Sequence, residues 1–154
     1  MIHFYNMITE SATRLEYLCN TIPALISAIR EKDFSYKPTP EKWSKKEILG
    51  HLVDSAANNH QRFIRTQYEN VPTIFYDQNK WNSLSHYQEL DSKHIINFWA
   101  LYNRHLLEII KRIPQERLHL KCNSGDDSHH TLEWLINDYV RHLEHHLHQI
   151  VDYK

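Results

Sequence analysis

Two glycines in 154 residues limit this chain more than any other feature. A protein built of strands and tight turns uses glycine wherever the backbone takes a positive φ. A phosphate-cradling loop needs several glycines close together. Both architectures are disfavoured, and four stretches instead carry the three- and four-residue apolar spacing of helices with one buried face. The first runs from about Thr9 to Glu31 through Leu15, Leu18, Ile22, Leu25, Ile26 and Ile29, ahead of Pro38 and Pro40, which cannot continue it. The second opens at Ser44-Lys-Lys-Glu47, a capping box in which each side chain satisfies a free backbone donor. It continues to about Glu69 with Ile48, Leu52, Ala56, Asn59 and Phe63 on one face, and Pro72 follows. The third spans about Asp91 to Ile113, directs Ile95, Phe98, Trp99, Tyr102, Leu106, Ile109 and Ile110 inward, and stops at Pro114. The fourth runs from about Thr131 to Tyr153.

These stretches predict one all-α domain over residues 1–154, a four-helix bundle. A long connector from Val71 to about Glu89 holds Tyr76, Asp77 and Trp81, and is expected to be either a functional element or a packed lid. A polar loop, Asn123-Ser-Gly-Asp-Asp127, precedes the fourth helix. Hydrophobic residues at 41% and charged residues at 24% are those of a soluble globular protein. A net charge of −1 gives no footprint for nucleic acid, and no apolar run is long enough to cross a bilayer. The first residues have neither the basic nor the apolar region of a secretory signal, so a cytoplasmic protein with reduced Cys19 and Cys122 is expected.

Thirteen histidines are the second unusual feature, and five fall between His129 and His146. On a helical wheel, Leu132, Leu135, Ile136, Tyr139, Leu143 and Ile150 define the buried stripe of the fourth helix. His142 and His146 lie on that stripe one turn apart, whereas His145 lies off its edge and His148 nearly opposite. A lone histidine on an apolar face is usually a core residue with a hydrogen bond. Two at i,i+4 are costly to desolvate together unless they share a partner, and the spacing lets both rings converge on one metal ion. Metalloprotease chemistry is excluded: the order His142-Leu-Glu-His-His146 puts Glu144 in neither position that HExxH or HxxEH requires. Glu144 points away from the ligand face and is expected to be a solvated charge. A third ligand must come from another helix, and periodicity leaves both His51 and His105 open. His3, His60, His86, His94, His119, His129 and His130 are expected at the surface.

Two segments together resemble a known family. Trp43-Ser-Lys-Lys-Glu-Ile-Leu-Gly-His51-Leu-Val-Asp54-Ser-Ala, followed by Arg62, is similar to the second-helix signature of the DinB-like (YfiT-like) metalloenzyme superfamily. Thr131-Leu-Glu-Trp-Leu through Tyr139-Val-Arg-His142-Leu-Glu-His-His146 and Gln149-Ile150 resembles its fourth helix. The resemblance implies an up-down-down-up bundle, a homodimer, and one divalent ion, zinc or nickel, held by His51, His142 and His146. Members with an assigned activity are mainly S-transferases and isomerases that use low-molecular-weight thiols.

Three neutral imidazoles leave a coordination position open, the pattern of a catalytic rather than a structural metal. The expected function is therefore a metal-dependent enzyme on a small molecule, of thiol S-transferase or hydrolase type. The alternative is a non-catalytic metal-binding or stress-response bundle. Three further residues are candidates beside the metal. Asp54 could orient an imidazole, Arg62 could hold an anionic substrate, and Tyr139 could border the pocket.

Overall fold

The computed structural model describes the backbone of residues 2–154 and the side chains of residues 8–154. Four long helices form the bundle: α1 (Ile2–Ser27), α3 (Lys45–Arg65), α5 (Ser92–Ile110) and α6 (Leu132–Leu147). Two short ones, α2 (Glu31–Phe34) and α4 (Gln78–Ser85), sit in the first two connections. Side-chain caps set the helix starts. The Ser44 hydroxyl accepts from the Glu47 backbone N–H and the Glu47 carboxylate accepts from that of Ser44, each at 3.1 Å. Asp91 caps α5 by accepting from the His94 N–H at 3.3 Å, and Thr131 caps α6 by accepting from that of Trp134 at 3.2 Å.

Side-chain contacts between the four long helices fix their directions. Ser11 meets Asn137 and Arg14 meets Glu144, so α1 and α6 run parallel. Arg104 reaches the Cys19 carbonyl and Lys111 reaches Glu16, so α5 runs against α1. Ser44 meets Gln88 just ahead of α5, and His60 meets Tyr102, so α3 and α5 are parallel. His51 lies by His146 and Phe63 by Tyr139, so α3 and α6 are antiparallel. The order is up-down-down-up, with α1 and α3 each packed on both α5 and α6.

The core lies where these four faces meet, with Leu15, Leu18, Leu52, Phe63, Trp99, Leu106, Leu132 and Leu143 each at 0% exposure. Not every residue assigned to a stripe joins it. Phe98 is 45% exposed and stacks on Tyr102 along the outer side of α5, and Leu25 is also exposed. Among the described residues no helix is long and apolar enough to cross a membrane.

The polar loop before α6 contains an antiparallel hairpin, β1 (Lys121–Asn123) and β2 (His129–Thr131). Gly125, Asp126 and Asp127 make its turn with φ of 122°, 50° and 55°. A Cβ at Gly125 would also meet the Phe75 ring at 2.7 Å. The hairpin anchors the start of the long connector, because the Ile74 N–H donates to the Asn123 carbonyl and the Asn123 N–H to that of Pro72, both at 2.9 Å. At the other end of the connector, the Asn82 amide donates to the Glu47 carbonyl at 2.9 Å. Beside it the Tyr87 ring packs on α3 over Gly50, so closely that a Cβ there would lie 2.2 Å from the ring.

Candidate metal centre

α3 and α6 face each other where their apolar stripes carry histidine. His51 is wholly buried, and His142 and His146 are half-buried. His51 Nε2 lies 3.4 Å from His142 Nε2, and one ring nitrogen from each of the three lies within 4.8 Å of the others. A tetrahedral ion with bonds of about 2.1 Å to nitrogen separates its ligand atoms by about 3.4 Å. The spacing thus suits a small divalent cation. The ring planes of all three pairs meet nearly edge-on, at 76° to 78°, rather than stacking.

The electrostatics favour the ligand form of each ring. Burial, reinforced by His142 and His146, pushes His51 down to about 3. Burial and then His146 push His142 down to about 4. Burial also lowers His146, against a hydrogen bond to Gln149 that raises it. At neutral pH all three are uncharged and present a lone pair. His146 Nδ1 lies 2.9 Å from Gln149 Oε1, an acceptor, so Nδ1 carries the proton and Nε2 is free to ligate. The Trp43 ring sits 5.0 Å from that of His51, whose buried Nδ1 has no protein partner. Three neutral imidazoles whose ring nitrogens converge, one of them wholly buried, are costly to hold together unless they share a partner. The donor set fits a divalent ion.

The other candidates are placed differently. Asp54 is buried, and its partner is Tyr87: the phenol donates to Oδ1 at 2.5 Å, while Oδ2 has none. Burial raises the Asp54 carboxyl to about 6, although the Tyr87 hydrogen bond pulls it down. Tyr139 lies in the core and donates its hydroxyl to Asn103 on α5 at 2.5 Å. Arg62 Nε and Nη2 donate to the Ile74 carbonyl at 3.2 and 2.9 Å, which ties the connector to α3. Tyr76 is half-buried beside Ser55, with which it shares a hydrogen bond, and it lies near Arg62. Asp77 caps α4, and Trp81 contacts the Tyr76 ring at 5.7 Å.

His105 is exposed and pairs with His60, 5.5 Å between rings. His60 is half-buried rather than freely exposed, with Nδ1 2.9 Å from the Tyr102 hydroxyl. His130 is half-buried too, stacked 3.6 Å from Trp134. His86, His94, His119 and His129 are exposed, and the side chain of His3 lies outside the described residues. Glu144 is not a free surface charge: it accepts from Arg14 on α1 at 2.7 and 2.9 Å. That direction on α6 faces another helix. Trp43 and Gln149 are not legible as neighbours of the histidines from the helical wheel, because Trp43 lies ahead of α3 and Gln149 beyond the end of α6, where the 100° step does not apply.

Comparison with known proteins gives one family and one fold. The family model described as the DinB superfamily matches residues 14–150. A Bacillus cereus (strain AH820) protein named "Putative metal-dependent hydrolase" is 27% identical over 126 residues, 79% of this chain and 72% of its own. Proteins of the same description from Bacillus anthracis match to the same extent. Among solved structures, YfiT from Bacillus subtilis superposes with a TM-score of 0.84 at 19% identity, covering 93% of this chain and 83% of its own. It is described as a probable metal-dependent hydrolase with an unusual four-helix bundle topology. At that identity the likeness is one of fold.

Proposed function

The chain belongs to the DinB superfamily, and from that premise we propose that it is a metal-dependent hydrolase of a small molecule, with His51, His142 and His146 holding one divalent ion. The observation that carries this reading is the convergence of three neutral ring nitrogens within 4.8 Å on two facing helices. The names borne by the Bacillus relatives agree with it. Imidazole donors suit zinc and nickel, and three protein ligands leave room for a water or a substrate oxygen. A divalent ion in this place supplies Lewis-acid activation of water and of the bond to be cleaved.

The chain's own residues do the rest. Burial keeps His51 and His142 unprotonated through the neutral range, so their lone pairs need no deprotonation before use. Gln149 holds the His146 proton on Nδ1 and keeps that ring turned inward. Trp43 covers His51 from the side and limits its rotation. Tyr76, brought in by the connector and paired with Ser55, forms a polar wall one turn along α3 from His51. No carboxylate hydrogen-bonds any of the three imidazoles among the described residues, so proton transfer would pass through water.

The test is turnover by zinc- and nickel-loaded protein across a panel of esters and amides, with and without a low-molecular-weight thiol. Metal-dependent hydrolysis that His146→Ala abolishes supports the proposal. Turnover only with thiol moves the reaction to S-transfer at the same site. Activity that survives His146→Ala refutes a metal mechanism, and a protein that binds metal and turns over nothing is a binding module.

A further inference from the structure

Arg62 is held in a way no other described arginine shares. Arg14, Arg30, Arg65, Arg112 and Arg141 each pair with a carboxylate. Arg104 and Arg117 bond only neutral oxygens, but both are exposed to water. Arg62 is half-buried, and its three hydrogen bonds go to the Ile74 carbonyl twice and, at 3.5 Å, to the Asn59 side-chain oxygen. Partial burial of a guanidinium without a counter-charge is unfavourable, and the two firm bonds to Ile74 fix its plane. One edge is thereby tethered while Nη1 has only the long contact to Asn59.

A groove of about 390 Å³ opens on that guanidinium, lined by Arg62, Phe75, Tyr76, Asp77, Gln78 and Ser124. The one acid in its wall is already engaged: Asp77 accepts from the backbone N–H groups of Asn79 and Lys80 at the start of α4. Asp138, whose charge also acts on Arg62, is paired with Arg141. Along the same side of α3 come Ser55 with Tyr76, and then His51. Eleven helical residues from His51 to Arg62 correspond to a rise of about 16 Å between their Cα atoms, so a substrate reaching both would have to be extended.

We propose that Arg62 is the anchor of an anion subsite, taking the carboxylate or phosphate of an extended small-molecule substrate whose reacting bond lies at the three histidines. A planar fork with a free edge in a groove is the arrangement that recognises either group through two parallel N–H···O bonds. The connector Phe75–Gln78 forms the outer wall, so the segment that Arg62 tethers also shapes the subsite. This inference rests on reading the three-histidine cluster as the reaction site, but anion binding at Arg62 is measurable without it.

The experiment has two arms. In the first, metal-free full-length protein is titrated with inorganic phosphate and followed by amide NMR, so phosphate cannot report on a metal. Saturable shifts centred on Tyr76, Asp77 and Ser124 are expected, weakened at least tenfold by Arg62→Gln and unchanged by His146→Ala. Should Arg62→Gln fail to fold, Ser124→Asp places a carboxylate in the groove without touching the arginine and is expected to weaken phosphate at least tenfold. Absent or non-saturable shifts, or shifts indifferent to both changes, overturn the subsite. In the second arm, metal-loaded protein is given matched esters with and without a terminal carboxylate. A preference for the anionic ester of at least tenfold in KM, removed by Arg62→Gln, which raises KM for the anionic ester at least tenfold more than for the neutral one, is the expected result. Equal use of both esters counts against the subsite. If neither ester reacts, the hydrolase reading fails, while the phosphate titration still decides the role of Arg62.

Discussion

Replacing Gly50 with alanine should destabilise this protein, against the ordinary preference of helices. In an exposed helix interior the change gains about 1 kcal/mol, because glycine loses the most backbone entropy on folding. Here the new Cβ would lie 2.2 Å from Tyr87 Cδ2 and 2.3 Å from Cγ. Those atoms are near the root of the ring, so the whole of Tyr87 must move rather than its tip. Such overpacking costs about 1–3 kcal/mol. Moving Tyr87 also breaks its hydrogen bond to the buried Asp54 carboxylate, whose second oxygen already lacks a partner. Leaving that group unpaired adds about 1–3 kcal/mol. Set against the helix gain, the net loss is about 1–5 kcal/mol, a fall in Tm of roughly 2–20 °C for a domain of this size. The assay is thermal and urea unfolding of metal-free wild type and Gly50→Ala, each also carrying Tyr87→Ala. Without the Tyr87 ring the same alanine should stabilise by about 1 kcal/mol, so the cycle should return a large coupling. A neutral or stabilising Gly50→Ala in the otherwise wild-type chain would refute the reasoning.

Two further outcomes follow from the same structure. Because His51 and His142 titrate at about 3 and about 4 when folded against 6.5 as the reference, the unfolded chain binds more protons as pH falls below 6.5. Their stabilising contribution is fully present above that pH and is lost as pH drops toward the folded values. Asp54 acts oppositely over part of this window, since its folded value near 6 lies above the reference 3.8 and its contribution is lost as pH rises between them. Metal-free protein should therefore lose stability between pH 6.5 and 4, Asp54→Asn should steepen the loss, and His142→Gln should lower the slope by about one proton; an unchanged slope in His142→Gln contradicts the assignment. Tyr139→Phe should cost about 1–3 kcal/mol by stranding the buried Asn103 oxygen, with metal affinity unaltered, as equilibrium unfolding and calorimetric titration would show; lost affinity at unchanged stability would return Tyr139 to the site.

The bundle and the shared face of His142 and His146 are legible in the sequence because both are local. Ile48, Leu52, Ala56 and Phe63 repeat with the helical period, Ser44 and Glu47 cap as written, and the 100° step alone puts His142 and His146 on one stripe. Helix ends were less so. α6 stops at Leu147 and not at Tyr153, for no glycine or proline lies near its end to mark it. The hairpin reads as a plain polar loop in the sequence, although Gly125-Asp-Asp is the sort of segment that tolerates successive positive φ. Glu144 and Phe98 show the limit of a wheel. It gives direction about one axis but cannot tell whether a neighbour such as Arg14 or open water lies there. The long-range parts, Tyr87 on Asp54 and Arg62 on Ile74, join residues 33 and 12 positions apart and leave no periodic trace. The one signal was Gly50 itself, a glycine inside a helix and beside a ligand candidate, where close packing is the usual reason.

The central claim is that His51, His142 and His146 hold one divalent ion through ring nitrogens, and X-ray absorption on tag-free protein with one equivalent of zinc tests it most directly. The account predicts one bound ion per chain with three imidazole ligands at about 2.0–2.1 Å plus a further light atom, lost in His142→Ala and kept in His148→Ala. Sub-stoichiometric zinc in the wild type, or a spectrum that His142→Ala leaves unchanged, would contradict it.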